Sequence, residues 1–429
     1  MSRKKLVKEK LARIDAGVGD CIQIKKDSNV RKGVLMPHHE FSDSDIINIK
    51  LKNGYNIGLK ITSDTQIKLI EKKRRIEKKN KKIPYEKEKP DISLIGTGGT
   101  IACYVDYRTG AVHPAKSVEE LAFSVPEIFE IANIKSRILL RKFSENIEPK
   151  DWKMIAEKTA EELNSGSKGV IITHGTDTMG YTAAALSFML ENLNGPVVLV
   201  GSQRSSDRPS SDAVQNLISA VELVAKSDLG EVVVVMHGET SDTYTNILRG
   251  TKTRKFHTSR RDAFKPINTE PIGKIKNGNI QLTSQYKKAK QGEVKVKNKL
   301  ETDVAMIYAY PGLKPEDIPE KKGIVLIGTG LGHIPKEILP RIKELSEKGA
   351  VFTMTSQCFY GRVNMKVYST GRDILKTGII PCYDMLPETA YVKLMHALAY
   401  AKDQRGVEKI MKKNIANEMT KRTKTQCFM

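Results

Sequence analysis

The stretch Ile92–Pro114, ISLIGTGGTIACYVDYRTGAVHP, decides how the rest of the chain is read. Its apolar run, Ile92–Ile95, fits a buried strand. The run ends in a glycine–threonine turn, Gly96-Thr97-Gly98-Gly99-Thr100. No helix is expected to open there, because Tyr104–Pro114 is polar, contains glycine and ends in proline. A strand that runs into a loop of glycines and threonines can hold a hydroxyl where a substrate arrives.

Working outward, β-type apolar runs recur at Ile138–Phe143, Gly169–Thr173, Pro196–Val200 and Glu231–Met236. Helical segments alternate with them at Ser117–Phe123, Trp152–Leu163, Met179–Leu190 and Asp212–Val224. Continuous apolar strands with intervening helices make a parallel sheet covered on both faces. Chemistry in such sheets gathers at the carboxyl ends of the strands. Both the turn after Ile95 and the turn His174-Gly175-Thr176-Asp177-Thr178 fall at such ends. This domain is placed at residues 91–290. Ile272–Thr302 reads as a polar, lysine-rich connector. A smaller α/β unit, residues 303–429, follows with strands at Val304–Tyr308, Gly323–Ile327 and Val351–Thr355. Its helices are expected at Lys336–Glu347 and, last, at Pro387–Lys402.

Upstream, residues 1–72 read as a small β module. Strands are expected at Asp20–Lys25, Arg31–His38, Asp45–Lys52, Tyr55–Ile61 and Gln66–Glu71, with Asn53-Gly54 as a hairpin turn between two alternating runs. Five short strands suggest a small closed barrel, which removes sheet edges. The basic linker, residues 73–90, ends at Pro84 and Pro90, and its charge is expected to keep it solvated and stretched.

The chain has 429 residues and a net charge of +22. Residues 1–90 hold 24 basic against 12 acidic side chains, more than half of the excess. Such stripes capture polyanions, so nucleic acid is expected as a direct or indirect partner. No apolar run approaches the roughly 18 residues of a membrane span, and a cytoplasmic protein is expected. Five scattered cysteines without close pairing suggest reduced thiols, and eight histidines show no ligand spacing, so no metal site is expected.

Several chemistries can be set aside. Gly96-x-Gly98 lacks the third glycine, where Ile101 stands, and lacks the helix that a pyrophosphate requires. Gly328-Thr329-Gly330-Leu331-Gly332 fails likewise. No P-loop and no Gly-x-Ser-x-Gly elbow is present. What remains is Thr97, the Thr176-Asp177 pair and a basic segment carrying Lys255. A threonine hydroxyl is a weak nucleophile and needs a base beside it. A lysine or a second threonine can move its proton, an aspartate can orient the set, and the glycines leave backbone N–H groups free for an oxyanion.

TGGTIA after one strand and HGTDTM after another resemble the two signature motifs of the L-asparaginase/glutaminase family, whose pattern extends from about Asp91 to Tyr400. The resemblance implies a two-domain asparaginase-like parallel-sheet core behind the small N-terminal β-barrel. It implies catalytic roles for Thr97, Thr176, Asp177 and Lys255, the last standing nine residues before Phe264 of Asp262-Ala263-Phe264. Asp177 would also grip the substrate amino group, with Ser144 and Glu145 as the substrate-carboxylate pair. Glutamate at 145 departs from the family's glutamine. The basic module in front, DYRTGAVHP, TSQCFYGRVNMKVYSTGR and DMLPETAYVKLM are together similar to the D-subunit branch of archaeal glutamyl-tRNA(Gln) amidotransferases. That resemblance implies ammonia release from L-glutamine (or L-asparagine), no cofactor in this chain, and a partner E subunit that uses ATP and Mg to amidate Glu-tRNA(Gln). It further implies a homodimer within a heterotetramer. The alternatives are a free-standing L-asparaginase/glutaminase with a fused binding domain and a catalytically dead, RNA-binding scaffold.

Overall fold

The computed structural model describes residues 3–36, 45–51, 56–72, 84–99, 103–105, 112–114, 125–204, 211–283 and 285–422. The turn Asn53-Gly54, Thr100 and the helix expected at Ser117–Phe123 lie outside them.

The N-terminal module is an antiparallel sheet of Cys21–Lys26, Asn29–Leu35, Ile46–Lys50, Asn56–Lys60 and Gln66–Glu71. In space the fourth of these strands lies at one edge, followed by the third, second, first and fifth. Alternation puts Ile22, Ile24, Ile47 and Ile49 on one buried face. A helix that the sequence reading did not anticipate, Arg3–Arg13, adds Val7 and Leu11 to that face. Its lysine-rich surface obscured a two-residue apolar stripe.

The linker is not free throughout. Asn133 Nδ2 donates to the carbonyls of Glu86 and Lys89, and Asn133 Oδ1 accepts from Glu86 N. One buried amide thus pins residues 86–89 to the core, so this end of the linker is tethered while residues 84–88 stay exposed to solvent.

The main sheet has eight strands in the order Asn279–Leu282, Gly273–Lys276, Thr245–Arg249, Val232–His237, Val197–Val200, Val170–Thr173, Asp91–Gly98 and Asn133–Lys142. The last five are mutually parallel and match the expected apolar runs, the edge strand starting at Asn133 rather than Ile138. The first three are antiparallel additions. Two of those correct the reading of Ile272–Thr302 as a mere connector. Asn277 and Gly278 both have positive φ, as a two-residue hairpin turn needs, and lysines alternate outward while Gly273 and Ile275 are buried.

Helices Pro149–Asn164 and Met179–Met189 cover one face, and Ala213–Lys226 covers the other. The second unit carries four parallel strands in sequential order, Val304–Tyr308, Gly323–Gly328, Val351–Ser356 and Ile380–Pro381. Pro387–Tyr400 is not its last helix. Gln404–Lys412 follows, and Ser369–Lys376 precedes it, both too polar on their outer faces to stand out in sequence. Each unit has an apolar cluster of its own on its outer face, and a third is common to both. The shared cluster runs from Ile172, Ala183 and Leu186 to Val325, Leu394 and Met395.

Among the described residues no helix is long and apolar enough to cross a membrane.

Candidate active site

Thr97 is the seventh residue of strand Asp91–Gly98 and is buried. Its hydroxyl donates to the carbonyl of Thr173 on the neighbouring parallel strand, 2.8 Å away. That strand pairs Thr173 with Gly96, so both chains leave the sheet at the same level and side by side. Gly98 and Gly99 then take φ values of +109° and +82°. A Cβ on Gly98 would lie 2.2 Å from the Lys142 carbonyl, and one on Gly99 would lie 2.3 Å from Gly175 N. Glycine is required twice over, by backbone conformation and by the closeness of both neighbouring strand ends.

The second turn is built as tightly. Gly175 sits against Ser144, whose Cβ would be 2.7 Å from a side chain placed there, and Thr178 Oγ1 donates to the Ser144 carbonyl at 2.6 Å. His174 is wholly buried. Its Nδ1 faces the Gly175 carbonyl at 2.6 Å and its Nε2 faces Thr182 Oγ1 at 2.9 Å. A carbonyl only accepts, so Nδ1 carries the proton, Nε2 accepts from Thr182, and Thr182 Oγ1 accepts from Trp152 Nε1 at 3.0 Å. Burial pulls the His174 pKa down to about 4, although the bond to the Gly175 carbonyl opposes it, so the ring is neutral near pH 7.

From this turn Thr176 and Asp177 meet Lys255. Lys255 Nζ donates to Thr176 Oγ1 at 2.9 Å and to Asp177 Oδ1 at 2.7 Å. The Asp177 side chain is 66% exposed and that of Lys255 14%, so the lysine is sheltered while its partner carboxylate looks outward. Lys255 ends the strand Thr253–Lys255, which pairs antiparallel with Phe264–Pro266. Its partner in the ladder is Phe264, fully buried. The nine-residue spacing is the span of this hairpin: Phe264 anchors one arm in the core so that the other can present Lys255.

The structure therefore brings Thr176, Asp177 and Lys255 into contact. It sets Ser144 against the same turn and holds Thr97 on the adjoining strand, while Glu145 is exposed beside Ser144. A cavity of about 360 Å³ opens over Asp177 and Lys255, with Tyr181, Arg254, His257 and Glu388 in its wall. Arg254 and Glu388 form an ion pair of 3.4 Å there. Burial first, and then the Glu388 carboxylate, push the Tyr181 phenol up to about 12. A slightly larger cavity, about 390 Å³, lies by Arg249, Lys287 and Ile415. Of the residues singled out in the sequence, Asp177 and Lys255 line the smaller cavity and none lines the larger.

Sequence reasoning passed over Trp152, Thr182 and Glu388. Trp152 is the only tryptophan and Glu388 lies in DMLPETAYVKLM, but neither has a spacing that ties it to the turns.

Comparison with known proteins agrees with this architecture. Residues 91–288 match the family described as "Asparaginase, N-terminal", residues 303–411 the "Glutaminase/Asparaginase C-terminal domain", and residues 16–70 the "GatD N-terminal domain". The D subunit of the glutamyl-tRNA(Gln) amidotransferase of Pyrococcus furiosus is 55% identical over 436 residues, covering 99% of each chain. The D subunit of the same name from Thermococcus kodakarensis is 51% identical, covering 99% of this chain and 100% of its own. Among solved structures, the thermostable L-asparaginase from Thermococcus kodakarensis superposes with a TM-score of 0.71 at 34% identity, over 77% of this chain and 100% of its own. With full-length identity at this level, the chain belongs to the D-subunit family of glutamyl-tRNA(Gln) amidotransferases and has the asparaginase fold.

Proposed function

We propose that this chain hydrolyses the side-chain amide of glutamine and passes the ammonia to a partner subunit that amidates Glu-tRNA(Gln). The observation that carries the reading is Lys255 Nζ bonded to Thr176 and Asp177 at the strand ends beside Thr97.

Thr97 Oγ1 forms a bond to the amide carbon as its proton passes by way of Thr176 Oγ1 to the neutral amine of Lys255. The carbonyl oxygen takes negative charge, which N–H groups of the glycine turn stabilise. Collapse breaks the C–N bond, and the nitrogen leaves as ammonia with the proton it receives from the pair. Water then attacks the glutamyl ester, and glutamate leaves. Asp177 uses its outward oxygen to hold the substrate ammonium, and Ser144 receives the α-carboxylate end with Glu145 exposed beside it. A carboxylate at 145 repels the α-carboxylate, so that end is held less tightly than by the family's glutamine.

No cofactor is assigned to this chain. ATP and Mg belong to the partner E subunit, and two copies of the chain form a homodimer in a heterotetramer. The basic N-terminal module and linker suit a complex that handles tRNA. The rival, a free-standing asparaginase, has the fold in its favour, but the match of residues 16–70 to the GatD N-terminal domain favours the amidotransferase.

Thr97→Ala and Lys255→Met, assayed in the assembled complex, should each lower glutamine-dependent amidation by about 10³-fold or more while amidation from added ammonia persists. Loss of both activities, or survival of the glutamine-dependent one, would overturn the assignment. Rapid hydrolysis by the chain alone, unaffected by partner and tRNA, would favour the rival.

A further inference from the structure

The residues just before Lys255 are held by the second unit, through contacts that have no place in the reaction. Thr251 Oγ1 donates to the Ala416 carbonyl at 3.0 Å, and the Thr251 carbonyl accepts from Thr389 Oγ1 at 2.9 Å. Lys252 Nζ, fully buried, donates to Asp384 Oδ2 at 2.7 Å and to the Asp384 carbonyl at 3.0 Å. Arg254 pairs with Glu388. Residues 251, 252 and 254 are thus gripped from one side, and 255, the next along, reaches across to Thr176 and Asp177 on the other.

Asp384 is itself held in place. Its carboxylate accepts from Thr420 N at 3.0 and 3.2 Å and from Thr420 Oγ1 at 2.6 Å. Thr420 lies on a C-terminal strap, residues 415–421, that crosses the surface after helix Gln404–Lys412. The strap is folded around Glu418, which is completely buried and accepts from Ile415 N, Ala416 N and Lys393 Nζ. Arg362 clasps its end through the Thr420 and Lys421 carbonyls.

Two buried ion pairs are a costly way to fasten a strap, since apolar replacements are often as stable. What a buried pair offers is register: the ammonium has one place to go. A catalytic group displaced by about 1 Å loses on the order of 10²-fold in rate, so register three residues upstream of Lys255 matters.

We propose that Lys252, Asp384 and Thr420 are positioning residues for Lys255, which makes the C-terminal strap part of the amide site. The inference rests on the role given to Lys255 above.

The test uses the full-length chain in its complex, with kcat and KM for glutamine and the melting temperature read together. Thr420→Val removes one hydroxyl at constant shape and should lower kcat about 3- to 10-fold with KM unchanged, and Thr420→Ser should restore it. The double variant Lys252→Met with Asp384→Asn removes both charges of the buried pair, leaves only the part-exposed Arg362 without its carboxylate, and should lower kcat about 10²-fold while the chain still melts cooperatively. If the double variant does not fold, the Val and Ser pair decides. A kcat within twofold of the parent in Thr420→Val and the double variant, or a loss accounted for by unfolded chain, overturns the proposal. Lys255→Met separates the two claims. If it stays active, the reading of the amide site is wrong. If it is inactive while the Thr420 and Lys252 variants are unaffected, only the positioning role fails.

Discussion

Gly99→Ala is the sharpest test of how the two turns meet. Gly99 has φ +82°, which costs alanine about 1–2 kcal/mol in backbone strain. The larger effect is steric. An alanine Cβ would stand 2.3 Å from Gly175 N and 2.5 Å from Gly175 Cα, where ordinary contact begins at 3.4 Å. Both neighbours are backbone atoms and cannot rotate aside, so the Thr97 turn and the Thr176 turn must part by about 1 Å. Overpacking of this kind adds about 1–3 kcal/mol, for a total loss of about 2–5 kcal/mol. At the site, a displacement of that size costs about 10²-fold in kcat. The assay is glutamine-dependent amidation by the assembled complex, with ammonia-driven amidation as the internal reference and urea unfolding for stability. Gly166→Ala is the control. It has φ +101° and no atom within 4 Å of the added carbon, so it keeps the backbone strain and omits the wedge. If Gly99→Ala were as active as Gly166→Ala to within threefold, the turns would not need the contact on which the site has been built.

Two further outcomes follow from the buried histidines. Thr182→Val, which keeps side-chain shape, strands Trp152 Nε1 and His174 Nε2 without partners and should cost about 1–3 kcal/mol for each group; a loss below about 1 kcal/mol in urea unfolding would contradict the hydrogen-bond chain. Burial holds both His174 and His396 down at about 4 in the folded chain, against about 6.5 when unfolded. The unfolded chain therefore takes up protons first, and stability present above about pH 6.5 is lost as pH falls toward 4, by about 2 kcal/mol per histidine at pH 5. Paired carboxylates such as Glu162, held near 2, act only below about pH 4.5, so the interval between neutrality and pH 5 reports the histidines. A flat unfolding free energy across that interval would contradict this account.

How much could be read from sequence depended on whether a residue's neighbours were local. Four of the five parallel strands were legible because burial on both faces leaves continuous runs such as VVVVM at 232–236, whereas the edge strand Asn133–Lys142, half exposed, was read only from Ile138 onward. Lys255 was legible only through a spacing, and the ladder that pairs it with Phe264 gives that spacing its physical meaning. Strand Gly273–Lys276 was misread because its lysines face water while Gly273 and Ile275 face inward, a half-buried pattern easily taken for a loop. Lys252 and Lys393 gave no signal at all. A lysine reads as surface, and what buries these two is a carboxylate 132 residues away in one case and 25 in the other. The His174 chain was hidden for the same reason, since Trp152 and Thr182 approach it from two different helices.

The apolar cluster shared by the two halves of the catalytic core has a mechanical consequence. Helix Met179–Met189 begins directly after the HGTDT turn and lies against helix Pro387–Tyr400 of the second unit. Pulling those helices apart would expose Ala183, Leu186, Ala390 and Leu394 at once, so neither half has a cheap way to loosen alone. The boundary between residues 288 and 303 separates two stretches of chain that keep clusters of their own and still close one core together. The floor beneath Thr176 is therefore part of a packing that both halves have to keep closed.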